Sequence, residues 1–151
     1  MYFQLFQKLK EIVNRGWREI PNRYRNIQID EFIIMPNHVH GILIVGATLA
    51  VALKERAGAS PAPTIGEIIG TFKSICVLEW LRYIEENKIA TVAKFWQRNY
   101  YEHIIRDEES LNRIREYIRY NPLRWDLDRE NPHRIGEDEF EIWFKRKLKE
   151  N

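Results

Sequence analysis

The segment "MPNHVHGILIV" sets His38 and His40 one residue apart in an otherwise apolar run. On a strand, alternate side chains share a face, so both imidazoles point one way and Val39 the other. Their Cβ atoms then lie about 7 Å apart. At that spacing two rings can converge on one cation, or each can meet its own partner. Taken alone, the pair also has an ordinary account as two satisfied or half-exposed histidines. Two ligands do not complete a metal site, so a third donor has to come from another segment.

A candidate for that donor stands in "REYIRYNP". At about 100° per residue, Leu111, Ile114 and Ile118 set the buried stripe of a helix. Tyr117 and Asn121, four apart, sit one above the other on its flank. Singly, Tyr117 reads as an amphipathic aromatic at the core edge, and Asn121 as a helix C-cap before proline. The Asn121 carbonyl oxygen is also a competent ligand for a hard ion. A free phenol ionises near pH 10, so it is a poor nucleophile at neutral pH without help. The other tyrosines in reach are Tyr100, Tyr101 and Tyr120. Tyr120 lies about 60° round the helix from Tyr117, away from the stripe. Tyr100 and Tyr101 fall in a predicted strand, where one of them must point inward and pack.

The elements that position these groups follow from periodicity. Residues 2–20 read as an amphipathic helix, weakened by Gly16 and stopped by Pro21. "NIQIDEFIIMP" alternates and is β-branched, which predicts a strand over 26–34, and "HVHGILIV" predicts its hairpin partner. Residues 46–63, rich in Gly, Ala and Pro, predict a long mobile loop. Thr64 with Glu67 forms a capping box for a second helix to about Tyr83. "AKFWQRNYYEHII" predicts a third strand. Asp107 caps the tyrosine helix, Asn121-Pro122 ends it, and a last short helix covers about 138–149. The expectation is one α+β domain over 1–151, with 122–151 as a C-terminal extension.

Composition narrows the class. The chain has 151 residues, 44% apolar and 30% charged, with a net charge of +2 and one cysteine, Cys76. That excludes a disulfide scaffold and a Cys-rich zinc site, and it favours a reducing compartment. No run approaches the ~18 apolar residues of a membrane span, and no secretory leader is visible, so a cytoplasmic protein without a membrane partner is expected. The basic residues are mostly arginine, interleaved with Trp and Tyr, a pattern suited to nucleic acid.

Four stretches together carry a family likeness: "MPNHVHGIL", "TIGEIIGTFKS", "FWQRNYYEHIIRDEESL" and "REYIRYNPLRW". From about residue 17 to 131 the chain resembles the single-tyrosine HUH nucleases, in particular the REP-associated tyrosine transposases of bacteria. The resemblance implies a DNA transposase that cuts single-stranded or hairpin DNA. A tyrosine attacks the phosphate, leaving a 5′-phosphotyrosine and a free 3′-OH. Carried over, Tyr117 is the nucleophile, and His38, His40 and Asn121 hold Mg2+ or Mn2+. Lys73, Arg98, Arg106, Arg113 and Arg124 are the candidate DNA contacts. The setting implied is the nucleoid.

The family fold is a ferredoxin-like, RRM-like antiparallel sheet with helices on one face, and it begins with a strand ahead of the first helix. This chain starts inside that helix. Three outcomes follow for the vacated place beside the histidine strand. The chain is a truncated form of impaired activity, or "ATLAVAL" of the long loop fills the gap, or a second copy pairs there as a homodimer. The first outcome keeps a different function open, a non-catalytic module that grips single-stranded nucleic acid on its sheet.

Overall fold

Apolar side chains recurring every three or four residues make the first element a helix, α1, Tyr2–Arg18, with Ile12, Val13 and Trp17 on its buried stripe. The structure is a computed structural model and describes residues 2–46 and 63–149. Pro21 does not stop the helical run as expected. It sits in the first turn of a second short helix, α2, Ile20–Arg23, where its missing N–H leaves no bond unmade.

Strands β1, Ile27–Ile34, and β2, Val39–Val45, pair as a two-stranded antiparallel sheet. The hairpin is pinned at its turn by Met35 N–H on His38 O at 2.8 Å, and at its base by Gly46 N–H on Asn26 O at 2.8 Å. The loop predicted over 46–63, with its "ATLAVAL", lies from 47 to 62 outside the described residues. Helix α3, Ile65–Glu86, starts at the predicted capping box. Thr64 accepts from Glu67 N–H, and the Glu67 carboxylate accepts from Thr64 N–H.

Residues 93–105 were expected to form a third strand, and they do not. Between α3 and the next helix the described residues form no helix or strand. The β-branched and aromatic side chains are present, but no backbone ladder receives them. Their rings pack singly instead, Trp96 against Phe72 at 5.4 Å and Phe95 against Trp96 at 4.9 Å.

Asp107 caps helix α4, Glu108–Tyr120, by accepting from Ser110 N–H. A 3-10 helix follows at Asn121–Leu127, broken at Arg124, and the last helix is α5, Glu139–Lys149. The fold is α+β. The chain divides into two compact units, one of residues 1–29 and 43–101, the other of 30–42 and 102–151. In the first, α1 lies against α3, where Gly16 meets Cys76. In the second, Ile42, Tyr117 and Ile118 form the core, with Ile33, Ile105, Leu111, Ile114 and Phe140 around them. Among the described residues no helix is long and apolar enough to cross a membrane.

Candidate functional site

The predicted site residues His38, His40, Tyr117 and Asn121 all belong to the second unit. His38 closes the hairpin turn and His40 follows two residues on, so the strand's alternation puts both rings on one face. They meet edge-on, with centroids 4.5 Å apart, and their Nε2 atoms are 2.8 Å apart. Two nitrogens at that distance share one hydrogen, so one ring donates and the other offers its lone pair.

Asn37 decides which. Its Nδ2 donates to Glu130 O at 2.7 Å, which turns its Oδ1 toward His38 Nδ1 at 2.8 Å. The oxygen can only accept, so His38 carries its hydrogen on Nδ1 and its Nε2 presents the lone pair. Burial lowers the His38 pKa, with Asp128 and Glu130 pulling the other way. Burial, and then His38 beside it, push His40 down to about 4. Both rings are therefore neutral at physiological pH, as cation ligands must be.

Tyr117 was expected on the flank of its helix. It belongs to the core stripe, and its side chain is 8% exposed. The ring stacks on Phe140 at 4.1 Å and takes His40 against it at 5.2 Å. Its hydroxyl lies 3.4 Å from Asp128 Oδ2. Burial, then Asp128 and Glu141, raise its pKa above that of a free phenol. Asn121 ends α4 and is 1% exposed; among the described residues both ends of its amide lack a hydrogen-bond partner of good geometry, though it is close enough to Tyr117 to act against the rise in that pKa.

Asp128 is a site residue that the sequence reading missed. It follows the 3-10 helix, where no periodicity marks it. Its own N–H binds Trp125 O at 3.1 Å, and Asn131 Nδ2 also reaches Trp125 O, at 3.0 Å. This folded turn returns the chain to the hairpin, where Asn37 meets Glu130. Asp128 Oδ2 comes to 3.7 Å from His38 Nε2. One ligand atom each from His38, His40 and Asp128 lies within 4.8 Å of the others. Donors around one small divalent ion sit roughly 3–4 Å apart, close to the 2.8 Å between the two imidazoles and the 3.7 Å from His38 to Asp128. The buried Asn121 amide carries an oxygen of the right kind for a hard ion. Asn37 was the other omission, read as a turn residue although it directly precedes the histidine pair.

The expected DNA contacts are spread over both units. In the first, Lys73 donates to Gln97 O at 3.0 Å and lies over the Trp96 and Tyr100 rings, and Arg98 is exposed. In the second, Arg106 is exposed, Arg113 lies over Trp143 at 4.8 Å, and Arg124 is 3.6 Å from Asp138. Neither Tyr100 nor Tyr101 packs inward as a strand would have required; they are 43% and 58% exposed. Tyr120 faces solvent as predicted, on the rim of an open polar groove with Arg115, Arg119, Asp30 and Glu31.

Over 128 residues, 80% of this chain and 68% of the other, the sequence is 42% identical to a protein of Haemophilus influenzae described as an uncharacterized protein. No family model matches the chain. No solved structure matches it either.

Proposed function

The chain belongs to the same family as that Haemophilus influenzae protein, and we propose that it is a cation-dependent, single-tyrosine endonuclease and strand transferase. Its substrate is single-stranded DNA beside a hairpin, as for the REP-associated tyrosine transposases that the sequence resembles. One observation carries the reading: the Tyr117 hydroxyl, the His38–His40 pair and the Asp128 carboxylate share one buried cluster.

Tyr117 Oη attacks the scissile phosphorus and the bond to the 3′ oxygen breaks, leaving a 5′-phosphotyrosine and a 3′-OH. The bond energy is conserved in the ester, so a returning 3′-OH can rejoin the strand without ATP. The Tyr117 hydroxyl faces Asp128 Oδ2; its proton is lost as Oη bonds to phosphorus, and the departing 3′ oxygen takes one up. Phe140 and His40 hold the ring in line between them. His38, His40 and Asn121 would hold Mg2+ or Mn2+, which would supply charge neutralisation at the phosphate. Arg106 and Arg113 belong to the same unit and contact the DNA backbone. Such a protein works in the cytoplasm, at the nucleoid.

A second reading draws on the burial of Tyr117. A hydroxyl of raised pKa beneath Phe140 also suits a module that binds single-stranded nucleic acid and does not cut it. Incubation with labelled hairpin DNA and Mn2+ separates the two. The nuclease gives a covalent protein–DNA adduct that EDTA and Tyr117→Phe both abolish. Salt-sensitive binding without an adduct leaves the binding module.

A further inference from the structure

We propose that Asp128 is a direct ligand of the cation, so that the protein offers two imidazoles and one carboxylate. The proposal rests on the reading of His38 and His40 as cation ligands. Three observations on Asp128 itself carry it.

The first is aim. Asp128 is 2% exposed, and its Oδ1 is fixed by Glu130 N–H at 2.7 Å. That bond turns Oδ2 toward His38 Nε2 and the Tyr117 hydroxyl. The second is under-use. A carboxylate oxygen accepts two or more hydrogen bonds, and a buried one needs them. Among the described residues Oδ2 accepts one long hydrogen bond, from Tyr117 at 3.4 Å, and lies 3.7 Å from His38 Nε2.

The third is a surplus of acceptors at the same place. Glu141, 5% exposed, accepts from the N–H of Arg129, the residue after Asp128, through Oε1 at 3.0 Å. Among the described residues its Oε2 is buried with no hydrogen-bond partner, and so is the Asn121 Oδ1. The guanidinium of Arg129 lies 3.3 Å from Glu130. Buried acceptors without donors are costly, and a divalent ion between Asp128 and the histidines answers the one on Asp128 itself.

A carboxylate also changes the chemistry. Two imidazoles and an amide would leave the ion its full double charge in a buried place. One carboxylate halves that charge and tilts the set toward hard ions such as Mn2+ and Mg2+. Asn121 then adds a neutral oxygen.

The test is an electron paramagnetic resonance titration of the full chain with Mn2+, comparing wild type, Asp128→Asn, Asn121→Ala and His38→Ala. The asparagine keeps an acceptor for Glu130 N–H, so the turn survives. The expected result is one site in the wild type, weakened about tenfold or more by Asp128→Asn and lost in His38→Ala. Asn121→Ala has the smaller effect. If Asp128→Asn binds within about twofold of wild type while His38→Ala does not bind, Asp128 is no ligand and the histidine reading stands. If wild type and His38→Ala bind alike, or neither binds, the histidine reading falls and takes this one with it. Wild-type protein carrying 13C in its aspartate carboxyls answers without any variant. Mn2+ must produce an infrared difference band of a carboxylate that moves with the label, and its absence overturns the proposal.

Discussion

Tyr117 and Asp128 are joined across eleven residues of chain by one contact, hydroxyl to Oδ2 at 3.4 Å. The tyrosine comes from the last turn of a regular helix, and the aspartate from the irregular turn that follows it. Their meeting closes the 3-10 segment over the histidine strand, since Asp128 also reaches His38. The contact is long for a hydrogen bond to a carboxylate. It contributes little to stability, and it leaves both groups open to a better partner.

Tyr117→Phe therefore separates chemistry from folding. The ring, with its stack on Phe140 and its edge on His40, is retained. Unfolding by denaturant should differ from wild type by no more than about 1 kcal/mol, while the covalent adduct with hairpin DNA disappears. Tyr117→Ala, which empties the stack, should cost about 3–5 kcal/mol. A phenylalanine variant that still forms the adduct would remove Tyr117 from the chemistry.

Asn37 yields a second prediction. Its amide sets the His38 hydrogen on Nδ1 and makes Nε2 the lone-pair nitrogen, which takes the hydrogen shared with His40 when no ion is bound. Asn37→Ala should weaken Mn2+ by about tenfold, the usual effect of losing a partner that orients a ligand. The side chain is exposed, so the melting temperature without metal should barely move. Asn37→Asp keeps the accepting oxygen and should recover most of the affinity. Equal Mn2+ binding by all three proteins would show that Asn37 does not orient the ring.

The legible parts of the sequence were those with a local physical signature. Thr64 with Glu67 and Asp107 with Ser110 mark helix starts through bonds made within three residues. Helical spacing joined Tyr117 to Asn121, and strand alternation joined His38 to His40. The failures needed partners far along the chain. Residues 93–105 have strand composition, but a strand exists only where another backbone receives it. Asp128 reaches the site through a turn built on Trp125, Glu130 and Asn131, whose bonds follow no period. Pro21 was read as a stop because proline's two roles, helix end and first turn, look alike in sequence.

Gly16 gives a test away from the site. A Cβ there would lie 2.8 Å from Cys76 Sγ and 3.3 Å from the Phe72 ring. Cys76 is fully buried and short, so its sulfur cannot retreat. Burial pushes that thiol up to about 12, which also leaves it unreactive. Gly16→Ala gains about 1 kcal/mol of helix propensity and loses about 1–3 kcal/mol to overpacking. The variant should melt at or below the wild-type temperature, and adding Cys76→Ala should raise it again. A Gly16→Ala protein that is clearly more stable on its own would show that α1 and α3 do not touch there.

The histidines predict how the metal-free protein responds to acid. An unfolded histidine titrates near 6.5, whereas burial holds folded His40 down at about 4 and lowers His38 as well. Between those values the unfolded chain binds protons that the folded chain refuses, so stability rises with pH. It is complete above about pH 6.5 and is lost as pH falls toward 4, by about 3 kcal/mol for His40 alone. Glu141 works in the opposite sense. Burial raises its pKa, so the folded form keeps a proton that the unfolded form has released just above pH 4.5. Comparing wild type with His40→Gln cancels the Glu141 contribution. Urea unfolding at pH 7 and pH 5 should show a marked loss in the wild type and a smaller one in the variant. If both lose the same amount, His40 is not buried as a neutral ring, and its readiness for a cation at neutral pH goes with it.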